Sequence, residues 1–190
     1  MDKIFILAGM TLSGKTTVAK ILSEKYGLNK VVGFTTRPKR EGEEDGDEYN
    51  FYSTQTLHSL IVSGKTVGLR SYKPKVKSGE PFWYYGFLRQ KIEKQKNPFV
   101  ITDYKGFLDF QHEYGKDKIF CIYLDVSKEV QMKRMKTRDE SIRDEQIRRI
   151  EADNIDYLGF KDNADHIIKV DKDKPEKIAE KIFKVIEKNS

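Results

Sequence analysis

The chain has 190 residues, 37% of them hydrophobic and 12% aromatic, with a formal net charge of +6. That is enough apolar material for one domain with its own core, and it excludes a disordered chain, which combines few aromatics with a strong net charge. No apolar run is long enough to span a bilayer, and one cysteine with three scattered histidines (His58, His112, His166) excludes a disulfide framework and a zinc site.

In chain order, Met1 leads straight into Lys3 to Ala8 (KIFILA), a short apolar run with the pattern of a buried parallel strand, so no secretory signal is expected. A Gly-containing loop follows. Lys15 to Tyr26 then reads as a helix with Val18, Ile21 and Leu22 on one face and Gly27 as its stop. From about Val31 to Phe87 the chain is rich in Gly, charge and aromatics. It predicts a separate lobe of short strands with one helix near Thr56 to Ser63 and a surface loop at Lys73 to Pro81.

Core elements resume with a helix around Phe87 to Gln95 and a strand at Pro98 to Thr102, then a strand at Lys118 to Val126. Cys121 lies in that last apolar run, as a buried thiol of a chain kept in a reducing, cytoplasmic compartment. Ser127 caps a helix to about Thr137, and a charged helical stretch spans about Asp139 to Leu158. A last strand covers His166 to Val170. The final helix starts near Pro175, with Ile178, Ile182, Val185 and Ile186 as its apolar stripe. Strands alternating with helices predict a parallel sheet covered on both faces.

Gly9-Met10-Thr11-Leu12-Ser13-Gly14-Lys15-Thr16 fits G-x-x-x-x-G-K-[ST] in full. Such a loop wraps a phosphate with backbone N–H groups, and glycines let the chain approach without Cβ clashes. The helix behind it aims its positive end at the same anion. Lys15 would reach the β- and γ-phosphates of ATP, and the Thr16 hydroxyl, with Thr17 beside it, would ligate Mg²⁺ carried by the nucleotide. The bland alternative is a chance match, but a strand before and a helix after are the context a P-loop requires.

The second informative stretch is Thr35-Thr36-Arg37-Pro38-Lys39-Arg40-Glu41-Gly42-Glu43-Glu44-Asp45-Gly46-Asp47-Glu48-Tyr49-Asn50-Phe51. Two arginines three apart with a following tyrosine suit a phosphate, because a guanidinium offers a planar fork of donors. Charge alone would support only an exposed acidic–basic loop. In this stretch the chain resembles the guanylate kinase family, whose T-T-R-x-x-R-x-G-E-x-x-G-x-D-Y-x-F signature it matches except that Glu48 replaces the aspartate. Trp83-Tyr84-Tyr85-Gly86 resembles the family's Y-Y-G element, and Asp103-Tyr104-Lys105-Gly106 the end of its D-x-D-x-Q-G strand. Lys133 to Arg138 and Ile147-Arg148-Arg149-Ile150 resemble its lid arginines.

The resemblance implies an α/β P-loop NTPase-type fold. Its core would be about residues 1–32 and 88–190, with an NMP-binding lobe at 33–87 and a helical lid within 134–158. It implies that Arg37, Arg40, Tyr49 and Tyr85 hold the acceptor's phosphate, and that Asp103 sits near Mg²⁺ and the acceptor. Lys15, Arg134, Arg138 and Arg149 would surround the transferring phosphoryl group. Without the resemblance, the lid arginines would read as a solvated helix face paired with Glu140, Asp144 and Glu145.

The implied reaction is ATP + GMP or dGMP giving ADP and the diphosphate, by a monomer or homodimer. Three departures fall where the family reads guanine: Gly33-Phe34 in place of a serine, Gly68 in place of a glutamate, and Ile101 in place of an aspartate. They leave room for an altered base preference, with Glu80 or Arg70 as replacement contacts. A kinase of another phosphate ester and a non-catalytic guanylate-kinase-like module are the alternatives; intact Arg37, Arg40 and Tyr49 weigh against the first, and intact Gly14-Lys15-Thr16 against the second. Nucleic-acid binding would rest on net charge alone.

Overall fold

The computed structural model describes residues 3–28, 30–73, 82–137 and 143–190. Its first sheet is wholly parallel, in the order β6-β1-β7-β8. Strand β1 (Ile4–Gly9) lies between β6 (Phe99–Ile101) and β7 (Ile119–Asp125), in register Phe5 with Phe99 and Phe120, and β8 (His166–Lys169) forms the far edge. Side chains alternate across β1. Phe5 and Leu7 face α1 (Lys15–Tyr26) and α7 (Pro175–Asn189), where Val18, Leu22, Ile178, Ile182 and Ile186 are buried. Ile4 and Ile6 face the opposite layer of Phe107, Phe110 and Phe160. Burial on both faces is why these strands read as unbroken apolar runs.

A second sheet, ordered β3-β2-β5-β4, stands apart from the first. It comprises β2 (Gly33–Thr35), β3 (Tyr49–Phe51), β4 (Thr66–Tyr72) and β5 (Trp83–Leu88), with α2 (Thr54–Val62) capped by the Ser53 side chain. The β4–β5 pair is antiparallel, and its register shifts between Val67 and Arg70. Gly68 occupies that bulge at φ +63, and a Cβ there would lie 3.0 Å from the Phe110 ring. The expected loop at Lys73 to Pro81 falls almost wholly outside the described residues.

The structure departs from the sequence reading at two elements. Phe87 does not open a helix. It extends β5 and packs on Phe110 with ring centroids 5.6 Å apart, which leaves α3 only Arg89–Glu93. Between β6 and β7, where no helix was predicted, α4 covers Tyr104–Tyr114. Asp103 caps it, with Oδ1 accepting the Gly106 N–H at 2.7 Å, and Phe107 and Phe110 bury its inner face.

After β7, Ser127 caps α5 (Lys128–Lys136), its hydroxyl accepting the Val130 N–H at 3.3 Å. Helix α6 (Arg143–Asp156) then leads back to the core, where Tyr157 and Phe160 join Tyr104 and Tyr123 in one aromatic cluster.

Candidate active site

The strand β1 delivers Gly9 to the edge of the sheet, and the turn to α1 begins there. Gly9 tolerates no side chain: a Cβ would meet the Leu124 carbonyl oxygen at 2.9 Å. Leu12 takes φ 66 and Gly14 φ 100, so the loop holds left-handed backbone at a residue that is not glycine. Such a conformation persists only where its surroundings hold it. The hold comes from α5. Gln131, almost fully buried, donates to the Thr11 carbonyl at 2.7 Å, and Arg134 donates to the Leu12 carbonyl at 2.8 Å and to Val170 at 3.4 Å. The Arg134 guanidinium is thus spent on backbone carbonyls, one in the loop and one just after β8.

Lys15 folds over the loop. Its ammonium donates to the Met10 carbonyl at 3.0 Å, to the Gly9 carbonyl, and to the Ser13 hydroxyl at 3.4 Å. Burial lowers its pKa to about 8; Asp153 and Asp103 oppose that shift, and the charge of Arg149 adds to it. The Asp153 carboxylate, carried by α6, accepts the Thr11 N–H. Thr16 and Thr17 are exposed in the first turn of α1.

On the second sheet, Arg37 is buried and grips Glu43 with both terminal nitrogens, at 2.9 and 2.7 Å, while the Arg40 N–H donates to the same carboxylate at 2.8 Å. The Arg40 side chain is exposed. Arg37 and Lys39 flank the Phe51 ring. Tyr49 meets Tyr85 edge-on with centroids 5.6 Å apart. Burial, then Tyr85 and Glu48, raise the Tyr49 hydroxyl, and the charges of Arg149 and Arg37 pull it down. Arg149 therefore lies within electrostatic reach of both Lys15 and Tyr49. Arg138 lies outside the described residues.

A cleft of about 560 Å³ separates α1 from the second sheet, with Thr16, Ser23, Lys30, Glu48, Tyr49 and Ile101 among its walls. Among the described residues no group of three His, Cys, Asp or Glu side chains could cage a metal. Thr16 at the head of the cleft suits an ion held mainly by phosphate oxygens.

At two of the three departures, Gly33 and Gly68, the backbone explains the residue type; nothing in the structure explains Ile101. A Cβ at Gly33 would sit 2.8 Å from the Gly86 carbonyl oxygen, and Gly68 is the bulge against Phe110. Arg70, re-aimed by that bulge, donates to Asp103 at 3.3 Å and to Asp109 at 2.7 Å. Glu80 lies outside the described residues. Sequence reasoning missed Asp153, Gln131 and Glu43. Glu43 alone had a signal, six residues from Arg37 in the same turn-rich segment.

A family model described as guanylate kinase matches residues 1–189. The guanylate kinase of Chlorobium chlorochromatii (strain CaD3) is 27% identical over 174 residues, spanning 87% of this chain and 85% of that protein. That of Oceanobacillus iheyensis is 26% identical over 204 residues, spanning 97% and 95%. In Neisseria gonorrhoeae the likeness is local, 46% over 60 residues, or 31% of this chain and 29% of the relative. The crystal structure of guanylate kinase from Anaplasma phagocytophilum shares the fold, with a TM-score of 0.69 and 18% identity over 98% of this chain and 85% of that one. With the P-loop, the inserted sheet and a match over nearly every residue, this chain belongs to the guanylate kinase family.

Proposed function

We propose that this protein transfers the γ-phosphoryl group of ATP to GMP or dGMP, releasing ADP and the nucleoside diphosphate. The observation that carries the reading is the complete phosphate loop, with Lys15 folded over it, facing a second sheet that holds Arg37 and Tyr49 across one cleft, with Arg149 in electrostatic reach of Lys15 and Tyr49. A cation in reach of both a donor-phosphate loop and an acceptor-phosphate tyrosine suits a transferring phosphoryl group, which needs charge there. This chemistry asks for alignment and electrostatic stabilisation more than for covalent help.

In this reading residues 33–87 form the NMP-binding lobe, 134–158 contain the lid, and the rest is core. Loop amides and Lys15 hold the ATP phosphates. Mg²⁺ arrives with the nucleotide, held on the protein side by the Thr16 hydroxyl, and neutralises charge between the β- and γ-phosphates. Arg37, Arg40, Tyr49 and Tyr85 hold the acceptor's phosphate, with Arg37 pre-aligned by Glu43. Asp103 borders the acceptor. Arg134 acts through the loop it braces, and Arg138 joins Arg149 on the phosphoryl group. The family and the lone buried thiol of Cys121 fit a cytoplasmic enzyme.

A second reading, a different acceptor base, is favoured by the backbone at Gly33 and Gly68, where a side chain that would read guanine enters only with strain. An ADP-release assay over GMP, dGMP, AMP, CMP, UMP and dTMP separates the two. Preference for GMP or dGMP supports the first reading, and preference for another base supports the second.

A further inference from the structure

Helix α6 touches the rest of the protein along one side. Near its end, Asp153 meets the Thr11 N–H, and Asp156 pairs with Lys105 at 3.3 Å. Midway along the helix, the Arg148 guanidinium lies over the Tyr72 ring, 4.1 Å from its centroid, well inside the roughly 6 Å range of a cation–π contact. Tyr72 ends β4 and pairs across the hairpin with Trp83, the first residue of β5, with ring centroids 6.1 Å apart. So the helix that carries Arg149 is held near its C-terminal end against the phosphate loop and α4, and at its middle against an aromatic pair of the acceptor lobe.

Adjacent helical residues point about 100° apart around the axis. Arg148 on Tyr72, together with Ile150 buried against Leu12 and Met135, therefore fixes the rotation of α6, and with it the direction of Arg149. We propose that Tyr72 is a positioning residue for phosphoryl transfer: its ring seats Arg148 so that Arg149 faces the gap between Lys15 and Tyr49. This rests on the kinase reading given above. Tyr72 touches no reacting atom in this scheme. Its effect falls on the transfer step, where a displacement of about 1 Å costs on the order of 100-fold.

The test is steady-state kinetics on wild type, Tyr72→Ala, Tyr72→Phe, Arg148→Ala and the double variant Tyr72→Ala/Arg148→Ala. A loss of roughly tenfold in kcat is expected for each alanine variant, with KM for ATP and GMP within about twofold of wild type. Tyr72→Phe keeps the ring and stays within about twofold in kcat. The double variant is no worse than the worse single, because both remove one contact.

Trp83, the sole tryptophan, supplies a readout independent of turnover. Arg148→Ala shifts its emission in the wild-type background and leaves it unmoved once Tyr72 is alanine. Unchanged kcat in Arg148→Ala, multiplicative losses in the double variant, a Tyr72→Phe as poor as Tyr72→Ala, or an emission indifferent to Arg148 would overturn the proposal. A wild-type enzyme that turns over no monophosphate would overturn the kinase reading and this proposal together, even with the emission shifts intact.

Discussion

The carboxylate of Asp153 accepts the backbone N–H of Thr11, so an acidic side chain from α6 sits on a donor of the loop that also carries Lys15. An anion on a phosphate-loop amide stands where a nucleotide phosphate draws its hydrogen bonds. Binding ATP means exchanging one anion for another. Asp153→Ala is therefore expected to tighten ATP binding at pH 7 by on the order of tenfold, the equivalent of about 1.4 kcal/mol. Calorimetric titration measures it, and a weaker affinity would assign Asp153 to holding the loop's shape instead.

Lys15 makes that exchange pH-dependent. Burial lowers its ammonium to about 8, below the unfolded value near 10.4. Between those values the unfolded chain binds more protons, so this group's contribution to stability rises with pH across the window. Arriving phosphates restore the charge. At a pH above about 8, ATP binding should take up a fraction of a proton, seen as a dependence of binding enthalpy on the buffer's ionisation enthalpy. In Lys15→Met the uptake should vanish. Asp153→Asn, which removes a charge that raises Lys15, should move the onset of uptake to lower pH.

The Arg37–Glu43 pair bears on acceptor binding and on stability. Arg37 and its hydrogen bonds hold the Glu43 carboxyl below its ordinary value, against the opposing effect of burial. A lowered carboxyl contributes stability above the unfolded value, near 4.3, and loses it as pH falls through the folded value. Glu43→Gln should cost about 1–3 kcal/mol at pH 7 by urea unfolding, with the gap to wild type closing below about pH 4. It should also raise KM for the monophosphate more than KM for ATP, since it loosens Arg37 and touches nothing near Lys15.

Gly68 tests why the proposed acceptor lobe lacks a glutamate there. An L side chain at φ +63 against the Phe110 ring is strained twice, once by its backbone and once by packing. Gly68→Ala and Gly68→Glu should each lose about 2 kcal/mol in thermal or urea unfolding. Gly68→Glu should not sharpen preference for GMP. A stable variant with sharper preference would show that the bulge can relax to admit the side chain.

Much of the molecule could be read from its residues because local signals and tertiary demands agreed. The run Ile4 to Ala8, the left-handed stop at Gly27, the Ser127 cap and Pro175 opening α7 all follow from rules that act within a few residues. Helix α4 was missed although its signals were present: Asp103 three residues before a backbone N–H it caps, and Phe107, Phe110 and Tyr114 at helical spacing. The same Asp103-Tyr104-Lys105-Gly106 stretch also fits the end of a strand, and local sequence does not separate the two. Phe87 continues β5 because its burial depends on Phe110, a partner 23 residues away. The Gly68 bulge and the turn of Arg70 toward Asp103 depend on strand register, which sequence spacing does not encode. Asp153 on Thr11, 142 residues apart, was out of reach for the same reason.

Turnover decides the central claim most directly. With ATP and Mg²⁺ present, ADP release should be stimulated by a nucleoside monophosphate, most strongly by GMP or dGMP, and should fall by at least about 100-fold in Lys15→Ala, which removes a cation from the phosphates. If none of GMP, dGMP, AMP, CMP, UMP or dTMP stimulates ADP release, or if Lys15→Ala releases it as fast as wild type, phosphoryl transfer at this site is contradicted.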